Sequence, residues 1–396
     1  MPRQWPPARR LPQHTRIKEP HLKTLYLHLG THKAASTAIQ LFLAHNRAQL
    51  AKHGICYPTP PPPTRFAHHG LAWHFIRQYK DIDQRPGNYS LPAALADFAA
   101  SGCHTLILSS EDFLTCTPFP DFLEEFFRAL RRVFSRIVVC AYVRDRKGFF
   151  RSSYNQWVKS LVYAGDFDSY LARVLRGNQA PMHYTRSLAS WAEHADAAVY
   201  LPFLPRAGGE AVERHFLRAL DIEACPEAQL QAFSSEAVNA SVGPLSVLAH
   251  RRICAQLNTT DWFQPYDLHR RTNLTDHILS LSTARGWEAE RFRVFDSQRL
   301  SRVREVFHGE DGSFARRHFG RDWDEVFPEE ASEEQANERV YEDLSRSERS
   351  AVDQVVTQGT RRARAIYVDH PRISTYRANL RRSIRWLSRR VLQLRR

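Results

Sequence analysis

The chain has 396 residues, 43% hydrophobic and 11% aromatic, so it is long enough to bury a large core in one or two domains. Its six cysteines are scattered without a CxxC pair, which indicates neither a disulfide framework nor a zinc site. The net charge of +14 is concentrated at the ends: residues 1–23 carry +5 and residues 361–396 carry +11, leaving about −2 for the rest. This distribution argues against nucleic-acid binding by the folded part.

The N-terminal segment, residues 1–23, is basic, Pro-rich and aperiodic, and we expect it to be a disordered leader. It contains no apolar region of the secretory type, and no apolar run in the chain approaches the roughly 18 residues of a transmembrane helix. The sequence therefore predicts a cytoplasmic protein, soluble or at most peripheral on the inner face of a membrane.

Apolar runs and helical segments then alternate along the chain. A strand is predicted at 25–29, a helix at 35–52 that ends before Gly54, and a short strand at 55–57. Further buried strands are predicted at 105–109, 136–143 and 197–203, with helical segments such as 121–134 between them, and the chain beyond about residue 221 reads as mostly helical. This alternation predicts an α/β fold with a mostly parallel sheet and a helical second half.

The first predicted strand runs into "GTHKAAST", residues 30–37, where the next helix opens. A loop between a strand and a helix N-terminus directs backbone N–H groups and the positive end of the helix dipole at one point, which favours an anion. A nucleotide-kinase loop has a second Gly directly before its Lys, whereas His32 precedes Lys33 here, so that interpretation fits poorly. The candidate anion-binding residues are Gly30, Thr31, His32, Lys33, Ala34, Ala35, Ser36 and Thr37.

A second candidate anion site follows the strand predicted at 136–143. Arg144 leaves the strand end, and Ser152 lies eight residues later on the next predicted helix. A guanidinium and a hydroxyl with this spacing can bind one phosphate. Since open α/β sheets bind ligands at the carboxyl ends of their strands, the two stretches predict two anion sites at one sheet edge.

With these stretches, the chain resembles the sulfotransferases that use 3′-phosphoadenosine 5′-phosphosulfate, in particular the bacterial type that acts on carbohydrates and small molecules. The segments "LAKHGICYP", "LILSSEDF" and "SYNQWVK" are also similar to this family, and the resemblance covers residues 24–330. It implies a P-loop-like three-layer sandwich, with the loop around Lys33 on the 5′-phosphosulfate and with Arg144 and Ser152 on the 3′-phosphate. The chain departs from the family at Ala35, where Gly is usual, and at His32, where Pro is frequent.

Sulfuryl transfer needs a cation at the leaving oxygen and a base at the attacking hydroxyl. Lys33 is the predicted cation. Glu111 follows the strand predicted at 105–109, and both its position and the resemblance favour it as the base, although it is also placed to cap a helix that starts near Asp112. No metal is predicted. Four histidines are candidates for further pocket groups: His28, His68, His69 and His74.

We therefore expect an enzyme, a sulfotransferase that transfers a sulfuryl group from 3′-phosphoadenosine 5′-phosphosulfate to a hydroxyl, most simply on a carbohydrate or glycolipid. A P-loop kinase acting on a small molecule is the first alternative, and magnesium dependence would distinguish it. A nucleotide-binding protein of the same fold with impaired turnover is the second, because a methyl at Ala35 restricts the backbone if its φ must be positive.

The last segment, residues 331–396, is predicted to be a C-terminal extension. In its Arg-rich end, apolar residues recur at steps of four and three, which predicts a basic amphipathic helix suited to an anionic membrane surface. A helix packed on its own domain, or a disordered basic end, remains open as an alternative. The apolar positions are Leu380, Ile384, Leu387, Val391 and Leu394.

Overall fold

The computed structural model describes residues 22–31, 33–62, 65–79, 89–177, 182–204, 211–222, 230, 242–264, 267–328, 330 and 335–369. His32, nearly all of the predicted leader and the predicted amphipathic helix at 380–394 lie outside the described residues. The chain divides into two compact units. Unit 1 contains Met1–Ser153, Tyr170–Ala240 and Phe295–Glu334, and unit 2 contains Tyr154–Ser169, Ser241–Val294 and Gln335–Arg396. The predicted domain limits at residues 24 and 330 stay predictions.

Unit 1 is built on a five-stranded sheet formed by β1 (Thr24–Leu29), β2 (Ile55–Cys56), β3 (Thr105–Ser110), β4 (Arg136–Val143) and β5 (Ala197–Pro202). All neighbouring strands are parallel, in the order β2-β3-β1-β4-β5. β1 lies at the centre, so Leu27 pairs with Leu108 on one side and with Val139 on the other. The predicted strands and the parallel α/β sheet are confirmed.

Helices connect the strands and form most of the remaining described chain. They are α1 (Ser36–His45), α2 (Arg47–Lys52), α3 (His69–Tyr79), α4 (Leu91–Ser101), α5 (Pro120–Arg131), α6 (Arg146–Lys159), α7 (Phe167–Arg176), α8 (Tyr184–Ala192), α9 (Val212–Ala219), α10 (Pro244–Leu257), α11 (Leu268–Thr283), α12 (Ser297–Phe319), α13 (Trp323–Val326) and α14 (Arg346–Arg364). A short 3₁₀ helix, Glu111–Cys116, follows β3 directly.

The single helix predicted at 35–52 is wrong in one respect, because Asn46 divides it into α1 and α2. The Asn46 amide donates a hydrogen bond to the carbonyl of Phe42 at 3.0 Å, and such a local side-chain bond competes with helix continuation. The chain then turns at Gly54, whose φ of +74° suits a residue without a Cβ. β2 does not pair with β1, since β3 lies between them.

The sheet has a hydrophobic core on each face. Along β1, Leu25, Leu27 and Leu29 belong to a cluster that includes residues of α4, α5, α8 and α12. Tyr26 points to the opposite face and belongs to a second cluster with residues of α1 and α9. This alternation follows from the two-residue period of a strand, and coverage on both faces explains why β1, β3 and β4 are continuous apolar runs.

Unit 2 is helical, and its core is formed by α10, α11 and α14. α14 begins with a capping box in which Ser345 and Glu348 satisfy each other's backbone N–H groups. A Cβ on Gly359 would lie 2.7 Å from Cδ1 of Ile253, so a glycine allows α14 to pack closely on α10. The helical second half predicted from the sequence is confirmed. Within the described part of the chain, the helices are too short or too polar for any of them to cross a membrane.

Candidate functional site at the carboxyl edge of the sheet

Three strands of unit 1 end at one edge, and each is followed at once by a residue that the sequence singled out. Gly30 follows β1, Glu111 follows β3 and Arg144 follows β4. The N–H of Gly30 donates to the carbonyl of Ser110 at 3.2 Å, so the ends of β1 and β3 stay paired beyond the strands. The parallel sheet therefore brings the predicted loop, the predicted base and the predicted strand-end arginine to the same edge.

The loop after β1 has an unusual backbone. Lys33 and Ala35 both have positive φ, 69° and 63°, although neither is a glycine. A left-handed conformation costs an L-residue about 1–2 kcal/mol, and strained residues of this kind concentrate at functional sites. The positive φ at Ala35 gives a physical reason for a glycine at this position, so the methyl group of Ala35 is a source of strain.

Gly30 and Ser36 lie against each other inside the loop. A Cβ on Gly30 would be 2.4 Å from Oγ of Ser36 and 3.0 Å from Cβ of Glu111, so only glycine fits here. Ser36 is 3% exposed, and its buried Oγ has no hydrogen-bond partner among the described residues. An unsatisfied buried hydroxyl at the N-terminus of α1, where the helix dipole adds partial positive charge, favours an anionic ligand at this point.

The remaining loop residues hold the turn in place. Thr31 is buried, and its hydroxyl donates to the carbonyl of Tyr142, which ties the loop to β4. Ala34 is fully buried in the core on the α1 face of the sheet, while Thr37 is partly exposed in the first turn of α1. These contacts tie the loop to β4 through Thr31 and to the core through Ala34.

Arg144 contacts the loop directly. Its Nη1 donates to the carbonyl of Lys33 at 2.5 Å, and its guanidinium lies 5.5 Å from the ring centre of Phe203. Its side chain is 14% exposed. The two predicted anion-binding stretches, which are 111 residues apart in sequence, are thus joined by a hydrogen bond.

Gly148 is a site residue that the sequence interpretation missed. A Cβ at this position would lie 2.6 Å from Nε of Arg144, so the guanidinium packs over the bare backbone of α6. Ser152 is four residues further along α6, which places it one turn away on the same helix face, partly exposed. No hydrogen bond joins Arg144 and Ser152 in the described structure. Together they border the part of the α6 surface from Gly148 to Ser152, which we call the Gly148–Ser152 strip. The glycine between Arg144 and Ser152 in "RDRKGFFRS" is the sequence feature that could have indicated this close packing.

Glu111 does not cap the 3₁₀ helix. The cap is Ser110, whose Oγ accepts a hydrogen bond from the N–H of Asp112 at 3.1 Å. The Glu111 carboxylate forms no hydrogen bond or ion pair with any described residue, and its Cβ faces Gly30. The side chain predicted as the base therefore lies beside the loop, with the capping role filled by its neighbour.

A histidine–carboxylate pair lies next to Glu111. Nδ1 of His69 is 2.9 Å from Oγ of Ser110 and 3.3 Å from Oδ2 of Asp112. The same carboxylate accepts a hydrogen bond from the indole of Trp73 at 2.6 Å, and the imidazole stacks on that indole with ring centres 5.7 Å apart. The ring of His69 is thus fixed in plane and orientation, the arrangement found where a histidine handles protons.

Two of the other candidate histidines are interior groups. His28 is fully buried, with Nδ1 2.8 Å from Oγ of Ser109, and burial lowers its pKa to about 3. His68 accepts a hydrogen bond from the N–H of Ser109 and is also fully buried, and burial, with Arg47 nearby, lowers its pKa to about 3. Both are neutral at physiological pH and serve the packing. His74 is partly exposed on α3.

Among the described residues, no group of three or more His, Cys, Asp or Glu side chains is arranged to hold a metal ion. Comparison of the chain with protein-family models, with curated proteins and with solved structures finds no match. The functional interpretation therefore depends on the geometry of this edge and on the sequence motifs that meet there.

Proposed function

We propose that the chain is a P-loop-like sulfotransferase that moves a sulfuryl group from 3′-phosphoadenosine 5′-phosphosulfate to a hydroxyl of a carbohydrate or glycolipid. The observation that carries the proposal is the buried, unsatisfied Oγ of Ser36, which faces Gly30 at the N-terminus of α1. The resemblance to sulfotransferases, which rests on the order and spacing of the sequence motifs, implies a phosphosulfate rather than another anion. Lys33 and Arg144 add the positive charge that such a donor requires.

The 5′-phosphosulfate end of the donor is assigned to the loop. There the first N–H groups of α1 and the hydroxyl of Ser36 donate hydrogen bonds, and the helix dipole adds favourable electrostatics. Lys33 supplies the cation that balances charge on the 5′-phosphate as the bond from sulfur to the leaving oxygen breaks. His32, whose placement lies outside the described residues, belongs to the same loop by sequence.

The 3′-phosphate is assigned to Arg144 and the Gly148–Ser152 strip of α6. Arg144 donates one N–H to the carbonyl of Lys33, and the planar fork of a guanidinium is the geometry that binds a phosphate. The bare backbone at Gly148 gives the guanidinium its place on α6. The same contact to Lys33 would link the occupancy of this strip to the conformation of the loop.

Transfer then requires a base for the acceptor hydroxyl. In our proposal the acceptor oxygen attacks sulfur and forms the new O–S bond, the bond from sulfur to the 5′-phosphate oxygen breaks, and the acceptor proton passes to Glu111. Glu111 is suited to this role because its Cβ lies beside Gly30 of the loop and its carboxylate has no structural partner among the described residues. No step in this scheme needs a metal ion.

The strain at Ala35 supports a second candidate, a nucleotide-binding protein of this fold with reduced turnover. A side chain is unfavourable at the positive φ of 63° that Ala35 adopts, so this loop conformation costs free energy. We expect the loop to bind the donor more weakly than a loop with glycine at this position would. Donor binding without transfer to any acceptor would favour this candidate over the enzyme.

As for location, we propose a cytoplasmic protein whose Arg-rich C-terminus docks on an anionic membrane surface. The support is the sequence pattern of that segment. Membrane docking would bring the protein to the surface on which glycolipid acceptors lie, and nucleic acid is not a proposed partner.

The proposal is tested by calorimetric titration of the purified chain with adenosine 3′,5′-bisphosphate, followed by incubation with radiolabelled donor and a panel of glycans, glycolipids and phenols. We expect one binding site and labelled product on at least one hydroxyl acceptor. No nucleotide binding, with magnesium present or absent, would refute the proposal. Magnesium-dependent binding and transfer of phosphate from ATP would replace it with the kinase.

A further inference from the structure

The junction between β4 and α6 carries two arginines with different surroundings. Arg144 contacts the loop at Lys33, as described above. Arg146, two residues later, is the first residue of α6, and its side chain is only 1% exposed. Because Arg146 is only two residues from Arg144, the contacts that fix Arg146 also affect the position of Arg144 at the end of β4.

Arg146 is held on every side. Its Nε lies 3.1 and 2.9 Å from the two carboxylate oxygens of Asp311, its Nη2 also contacts Asp311, and its Nη1 donates to the carbonyl of Met182. The rings of Tyr184 and Phe307 lie 4.1 and 4.2 Å from the guanidinium carbon. A buried ion pair with this geometry fixes one arrangement of the chain, because removing either partner leaves an unpaired buried charge.

Glu330 provides a second anchor at the same helix end. Its Oε2 accepts a hydrogen bond from the backbone N–H of Arg146 at 3.2 Å and another from the indole of Trp323 at 2.6 Å. The residue is 2% exposed. It thus satisfies one of the first backbone donors of α6, which have no acceptor within the helix.

The surroundings of Glu330 disfavour its ionised form. Burial is the main cause and repulsion from Asp145 the next, and together they raise the pKa of Glu330 to about 7. Asp311 adds repulsion, and Arg146 opposes it but is already paired with that aspartate. Besides these groups, the small cavity beside Glu330 is lined by the ionisable residues Arg304, His308 and Asp324.

We propose that Glu330 is a positioning residue of the donor site, whose neutral form holds the first turn of α6 in place so that Arg144 and the Gly148–Ser152 strip can receive the 3′-phosphate. This inference rests on the proposed function. Ionisation puts a third carboxylate beside Asp145 and Asp311 at a position that is almost closed to solvent, so water must reach the charge and the contact with α6 loosens. Because the binding-competent form is the protonated one, donor affinity falls as pH rises through about 7.

The test is calorimetric titration with adenosine 3′,5′-bisphosphate at pH 6 and pH 8, for wild type and Glu330→Gln. Glutamine accepts the same two hydrogen bonds but cannot ionise, and titration of the ligand's own phosphates affects both proteins equally. Since only the protonated form binds and its pKa is about 7, we expect the ratio of the dissociation constants, pH 8 over pH 6, to be about tenfold larger for wild type than for the variant. Equal ratios would overturn the proposal.

Asp324→Asn is the matched control, because Asp324 lines the same cavity but pairs with Arg304 at 3.3 Å and does not contact Arg146. Asp324→Asn should keep the wild-type ratio of dissociation constants. A ratio like that of Glu330→Gln would show that the loss of any negative charge at this cavity produces the effect. If none of the proteins binds the nucleotide, the proposed function fails, and deuterium uptake over residues 144–150 decides the positioning role alone. After correction for intrinsic exchange, deuterium uptake should rise from pH 6 to pH 8 in wild type but not in Glu330→Gln. The same change of uptake with pH in both proteins would refute the positioning role of Glu330.

Discussion

Ser36→Ala should change stability and ligand binding in opposite directions. The substitution removes a hydroxyl that is 3% exposed and has no partner among the described residues. Leaving such a group unsatisfied costs about 1–3 kcal/mol, so its removal should stabilise the unliganded protein by about 1 kcal/mol after loss of some packing. The corresponding rise in melting temperature is about 1–2 °C for a chain of 396 residues.

Binding of the donor should suffer from the same change. A hydrogen bond to a charged group contributes about 1.5–3 kcal/mol, and each 1.4 kcal/mol is about tenfold in affinity. We therefore expect 3′-phosphoadenosine 5′-phosphosulfate to bind about 10- to 100-fold more weakly to Ser36→Ala than to wild type. The affinity for adenosine 3′,5′-bisphosphate should fall by a smaller factor. Melting curves and calorimetric titration measure the two effects on the same preparation.

Ser187→Ala is the control for this pair of measurements. Ser187 is also fully buried, but its hydroxyl donates to the carbonyl of His183 at 2.7 Å, so its removal should destabilise the protein by about 1 kcal/mol and leave binding unchanged. If Ser36→Ala lowers the melting temperature as Ser187→Ala does and binds the donor normally, the hydroxyl of Ser36 is a structural group and the anion site is misplaced.

Four further predictions concern the same edge and the C-terminus. Ala35→Gly should relieve the strain at φ 63° and tighten donor binding by about threefold, with little change in stability because glycine also gains freedom in the unfolded chain; weaker binding would contradict this, as measured by titration. Lys33→Ala should lower turnover far more than donor affinity, whereas Arg144→Ala should do the reverse, and kinetics with calorimetry would expose any other pattern. Glu111→Gln at saturating substrates should lose about 10²- to 10⁴-fold in rate with donor binding intact; a loss below about tenfold would transfer the role of base to the oriented histidine of α3. A chain ending at Asp369, which keeps all described helices, should sediment less with anionic vesicles at low salt than the full chain; equal sedimentation rules out the membrane role.

The elements of unit 1 were predictable because their signals are local. A strand buried on both faces is a continuous apolar run, as in β3 and β4, and a turn such as that at Gly54 needs a residue that accepts positive φ. The division of the predicted helix at Asn46 was not predicted, although the bond from Asn46 to the carbonyl of Phe42 is local. Asparagine is tolerated within helices as well as at their ends, so its presence alone did not decide the break.

The sequence alone determined which residues form the strands, which loop can receive an anion and which charged residues follow the strand ends, because each of these depends on neighbours within a few positions. Only the tertiary structure decided what meets at the edge. The bond from Arg144 to Lys33, the pair of His69 with Asp112 and the anchoring of Arg146 by Asp311 join residues 111, 43 and 165 positions apart. Contacts over such separations depend on the strand order β2-β3-β1-β4-β5 and on how helices pack across it, which no local pattern of residues encodes.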